Sequence, residues 1–162
     1  MTNTRQAVRQ LMDWRAAIWA GIVAGIVFLA LNLLLVSGLV GSSPWVLVRL
    51  IGSVLLGPDV LAPPATFDLG ILIAALVTLF VVIILFALLV AFAMHRWGLL
   101  VGILGGALFG LAFYLFTFYT MTYFFPWLYT FQSWPLLLTY VVMGATAGGV
   151  YEALEEDAWV PA

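Results

Sequence analysis

His95 is the single histidine of a 162-residue chain that contains neither cysteine nor lysine. One histidine cannot furnish a bis-histidine haem or a three-ligand zinc site, and the missing thiols exclude disulfides, thiolate metal sites and thiol catalysis. Met94 stands beside it, but adjacent residues project in different directions, so His95-Arg96 reads as a short solvated turn. No serine–histidine–acid set, phosphate loop or pair of inward-facing carboxylates can be drawn. Gly102-Ile103-Leu104-Gly105-Gly106 is not a dinucleotide fingerprint, because no strand precedes it. Catalytic residues, cofactors and metal ligands are therefore not expected, and the chain reads as a non-enzyme. Five arginines against seven acids leave no basic face to neutralise phosphates, which removes nucleic acids as partners.

The residue types that do form a pattern are glycines. Gly98, Gly102, Gly106 and Gly110 recur every fourth residue, which places them on one helical face where missing side chains let another backbone approach closely, as in a glycine zipper. Gly21 and Gly25 begin a second such face that Phe28 and Asn32 continue, and Gly144 and Gly148 form a third. The expectation is packing inside one bundle rather than between subunits. Asn32, the one side-chain amide deep in an apolar run, is expected to bond to another helix; a transport site is the sharper alternative. Thr78, Tyr114 and Tyr140 could line a polar seam, although hydroxyls of this kind commonly bond back to their own helix. Asp68, which follows Thr66 and Phe67, is expected to cap a helix at its positive end.

The elements that must hold these residues follow from composition. The chain is 66% hydrophobic and 7% charged, where a soluble domain is about half apolar and a quarter charged. Lipid is then the main solvent. Four runs, at about 16–40, 67–94, 97–119 and 135–154, reach the roughly 20 residues that a helix needs to cross a hydrocarbon core. They do not alternate as barrel strands would. An all-α polytopic protein with a membrane domain over 16–154 is expected. The run 16–40 is longer than the 7–15 or so apolar residues of a signal peptide and lacks a small-residue cleavage motif, so it reads as an uncleaved first span.

Arginine placement sets the orientation. With residues 1–15 cytoplasmic, Arg5, Arg9, Arg15 and Arg96 lie inside and only Arg49 outside. The acidic tail 155–162 is then cytoplasmic too. The connection after the first span carries Ser43-Pro44, a cap followed by proline at a helix start. About 13 residues then lead to Gly57-Pro58, which is too short to span. A short external interfacial or re-entrant helix is expected there, with Trp45 at headgroup depth and Arg49 snorkelling outward. The connection 119–134 has no charge and many rings, Trp127 and Trp134 among them, and is expected in the outer interface.

Two halves echo one another. Trp19, Gly21 and Gly25 begin a crossing that ends at Pro44-Trp45, and Trp97, Gly98 and Gly102 begin one that ends at Pro126-Trp127. This would be a parallel repeat. The segment Pro63-Pro64-Ala65-Thr66-Phe67-Asp68-Leu69-Gly70, with Ser43-Pro44-Trp45, Phe125-Pro126-Trp127 and the glycine-rich third span, resembles a group of small bacterial inner-membrane proteins over roughly residues 14–154. Some of that group carry a sodium:proline symporter label, and they are distantly similar to the YagU-type family. Histidines in the second and fourth helices of that group align with Leu79 and Tyr140, so no proton-linked role carries over. The symporter label does not fit unbroken spans without a mid-span charge. The expected function is an accessory or scaffold subunit of a bacterial inner membrane, packing laterally with other membrane subunits or with itself. A small transporter or pore formed by oligomerisation is the alternative.

Overall fold

Hydrocarbon offers no partner to a backbone N–H or C=O, so a crossing segment must satisfy these groups internally. The apolar runs do so as long helices. The computed structural model describes residues 8–95, 97–156 and 158–161; Arg5, Arg96 and Asp157 lie outside them. The elements run α1 (Trp14–Leu31), a π turn (Asn32–Val36), α2 (Ser37–Val40), α3 (Pro44–Leu56), α4 (Leu69–Met94), α5 (Leu99–Leu115), a second π turn (Phe116–Thr120) and α6 (Trp134–Leu154). Four helical stretches are long and apolar enough to cross a bilayer, namely Trp14–Leu39, Leu69–Met94, Leu99–Tyr123 and Trp134–Leu154. Helix α3 is the short apolar one.

The fold is all-α with one small addition. Strand β1 (Val8–Leu11) pairs antiparallel with β2 (Ala158–Pro161), Val8 opposite Pro161 and Leu11 opposite Ala158. This ribbon, which the sequence patterning did not suggest, joins the two terminal segments at one end of the bundle.

Side-chain caps set most of the helix starts. The Asp13 carboxylate accepts from the Arg15 and Ala16 amides at 2.8 and 3.0 Å, which starts α1 ahead of the apolar run. Ser43 accepts from Trp45 at 3.3 Å with Pro44 in the first turn of α3. Asp68 accepts from Ile71 at 3.0 Å, the capping role expected of it. Helix α5 begins at Leu99 rather than 97, because Gly98 sits outside it with φ +80°. That positive φ, which costs a residue with a Cβ about 1–2 kcal/mol, turns the chain from α4 into α5.

Packing is uneven around the bundle. Helix α6 is the least apolar span, with mean hydropathy 1.3 against 3.3 for α4, and it packs against α1, α4 and α5. Helices α5 and α6 form the most intimate pair, and α3 lies on the first turns of α4. Helices α4 and α5 are consecutive in sequence but barely touch. The Phe86 and Phe113 rings stack between them at 4.9 Å, and Met94 lies against Gly105. Both halves of the chain run through the same series: a long helix, a π turn, a short helix opened by Pro44-Trp45 or Pro126-Trp127, and a long return helix. The equivalence stops at packing. Helices α1 and α6 are in close contact, whereas α5 and α4, the corresponding pair, are not.

Candidate functional site: a laterally open apolar cavity

The glycines define where helices meet. Gly106 and Gly110 lie against the backbone of Gly144 and Tyr140, and Gly102 lies against the Gly148 carbonyl and the Glu152 side chain. The glycine faces of α5 and α6 thus meet each other inside one chain. Gly21 meets α4 instead, where a Cβ would sit 2.8 Å from Ile84 Cα, and Gly25 is filled by the Phe80 ring. Gly98 has nothing within 4 Å of a built Cβ. It was expected on the packing face and is a turn residue, one position too early to belong to the helix.

The expected polar seam is gathered in space but bonded within the bundle. Thr78 donates to its own helix at the Ala74 carbonyl, 2.8 Å away. The Tyr114 hydroxyl reaches the Ser133 carbonyl at 3.4 Å, and the Tyr140 hydroxyl lies close to that of Thr117. Asn32 donates to the Phe28 carbonyl at 2.8 Å and to Thr139 Oγ1 at 3.2 Å, tying α1 to α6. The Tyr140 ring is the centre of an aromatic cluster, 5.2 Å from Phe28, 5.5 Å from Tyr114 and 5.6 Å from Phe113. These rings were not anticipated together, since each reads alone as an ordinary span residue.

The short helix and the 119–134 connection form a cap over one end of the bundle. Trp127 Nε1 donates to Ser53 Oγ at 2.9 Å, and Ser53 is wholly buried. Trp45 stacks edge-on against Phe67 at 5.1 Å, and Trp134 is 67% exposed. Arg49 was expected to snorkel outward. Instead its guanidinium folds back on the Val60 carbonyl at 2.7 Å and the Thr66 carbonyl at 3.2 Å, because the end of the short 3-10 helix Pro58–Leu61 and the irregular chain after it leave carbonyls that a fork of five donors can satisfy. Ser53 is the signal that sequence reading passed over: a hydroxyl beside Gly52 on an otherwise aliphatic helix marks its packed face.

Beneath this cap lies a cavity of about 280 Å³. Its walls come from α1 (Phe28), α3 (Leu47, Leu50, Ile51, Val54), α4 (Thr78, Leu79, Val82, Ile83), the end of α5 and its π turn (Phe113, Phe116, Thr117, Phe118), and α6 (Leu136, Tyr140, Met143). Met121, Phe125 and Leu128 roof it. Two wall residues, Val82 on α4 and Phe116 after α5, also face outward, at 38% and 44% exposure. The cavity therefore approaches the surface on the side where α4 and α5 barely touch. A second, more polar cavity of about 210 Å³, bordered by Ser37, Ser42, Thr130, Gln132 and Ser133, shares Leu47, Leu50 and Leu136 with the first as a partition.

Among the described residues, no cluster of three or more histidine, cysteine or acidic side chains is placed to hold a metal. Compared with protein-family models, curated proteins and solved structures, the chain matches none.

Proposed function

We propose that this chain is a non-enzymatic component of a bacterial inner membrane, with both terminal segments cytoplasmic, acting through lateral contact as an accessory or scaffold subunit. The resemblance to small YagU-like membrane proteins belongs to the same reading. The observation that carries it is the direction of the site. The cavity reaches the outer surface of two spans, at Val82 and Phe116, so what it would meet there lies in the plane of the bilayer. The polar groups around it support the same reading. Thr78, Tyr114 and the Asn32 amide bond to neighbouring segments or to their own helix, which holds the bundle together. A pore would instead turn such groups toward a shared water path. Since the glycine faces of α5 and α6 meet each other, lateral partners would sit on aliphatic surfaces such as Leu100, Leu104 and Leu108, each 61–70% exposed.

Copurification in mild detergent, with mass spectrometry of what accompanies the protein, tests the reading. A second membrane protein at fixed stoichiometry is the expected result. A monomer that never retains another subunit contradicts it. Orientation is tested separately with single cysteines, which this cysteine-free chain accepts without background. An impermeant thiol reagent applied from the periplasm should label Ser42→Cys and Ser133→Cys but not Thr4→Cys.

A further inference from the structure

We infer that the cavity beneath the cap is a binding site for one hydrocarbon chain of a membrane lipid, which enters between α4 and α5. The assignment concerns this one cavity and goes beyond the question of which subunits the protein contacts. Three observations carry it together. The first is the mouth. Val82 stands 13 residues into α4, about 20 Å along the helix at 1.5 Å per residue, so the opening lies within the hydrocarbon layer. What stands outside Val82 and Phe116 there is acyl chain.

The second is the wall. A buried water needs two to four polar partners, and three of the lining side chains carry a hydroxyl: Thr78, which already donates to Ala74, and Thr117 and Tyr140, which lie close to each other. The remaining wall is aliphatic, aromatic or thioether. Such a wall offers little to water and favours a methylene chain. The third is size and shape. About 280 Å³ is several times the roughly 30 Å³ share of one water, so the space is large enough for a stretch of acyl chain. It runs from the cap down to Met143, nine residues into α6, or about 14 Å. The closed counterpart sharpens the point. The corresponding contact between α1 and α6 is sealed by packing and by the Asn32–Thr139 bond, so only one of the two equivalent clefts is open.

The site is tested with the full chain in lipid nanodiscs doped with a phosphatidylglycerol carrying a photoreactive diazirine midway along one acyl chain. Met143 is 1% exposed yet lines the cavity, so only a chain inside can reach it. Adducts on Met143 and Ile83, alongside those on annular positions such as Leu104, are expected. Val82→Trp should plug the mouth and lower the Met143 adduct about tenfold, the order expected when bulk is forced into an occupied space. The Leu104 adduct should not change. Val82→Ala should leave labelling at Met143 intact or raise it. A thermal melt in the same nanodiscs checks that each variant is folded. Adducts confined to outward-facing residues overturn the inference, and so does Met143 labelling that a folded Val82→Trp variant leaves unchanged.

Discussion

Asn32 places both of its amide hydrogens, on the Phe28 carbonyl and on Thr139 Oγ1, while its Oδ1 is buried without a hydrogen-bond partner among the described residues. The residue is 1% exposed, so its contribution is a balance between bonds made and an acceptor left dry. Thr139→Val should cost about 1 kcal/mol, since it strands one amide hydrogen as well. Adding Asn32→Ala to it should cost less than the two single effects summed. Reversible unfolding in mixed detergent micelles measures both, and strict additivity would show that the pair is not coupled. Glycines give a sharper contrast. Gly106→Ala drives a methyl into the Gly144 backbone and should cost roughly 1–3 kcal/mol. Gly38→Ala, with nothing within 4 Å of the new atom, should be neutral or slightly stabilising by the same measurement. The four-residue spacing made Gly102, Gly106 and Gly110 legible in advance. It misled at Gly98, because spacing alone cannot tell a helical residue from the turn before it.

Element boundaries were legible at several caps and breakers, though the Asp13 and Ser133 caps went unread and the spans they open were begun at 16 and 135 rather than 14 and 134. Ser43-Pro44 and Gly57-Pro58 frame α3, and Asp68 opens α4. The π turns were not legible, since Asn32–Val36 and Phe116–Thr120 read in sequence like any other apolar turn, and the extra residue per turn is visible only in the backbone. The arginine fold-back was hidden for a related reason: its partners are carbonyls, which every residue has. Those carbonyls belong to the connection between α3 and α4, so Arg49 holds that connection in place. Arg49→Met keeps the aliphatic stem and removes the fork. It should leave the spans folded and make residues 58–66 markedly more sensitive to added protease. Unchanged cleavage there would mean that Arg49 does not restrain the segment.

For the whole molecule, composition was enough to give four spans and an all-α bundle, because lipid permits few alternatives. Which spans touch was not readable. The gap between α4 and α5 depends on α6 standing against α1 and α5 at once, and on the Phe86–Phe113 stack, contacts between residues far apart in sequence. A transport path would need an ionisable or carbonyl-rich site open to both faces. The purified protein in liposomes should therefore dissipate neither a proton nor a sodium gradient. Protein-dependent flux that Asn32→Leu abolishes without unfolding would establish a pore instead. The position of α6 also bears on how the molecule is made. The central helix is the last to be synthesised and the least hydrophobic of the four, so lipid alone draws it into the membrane most weakly. Its insertion is helped by the groove that α1, α4 and α5 present, and until it arrives α5 waits in the bilayer with a bare glycine flank. Biogenesis should then pass through a vulnerable interval, after the third span enters and before the fourth, in which a half-built bundle exposes that flank.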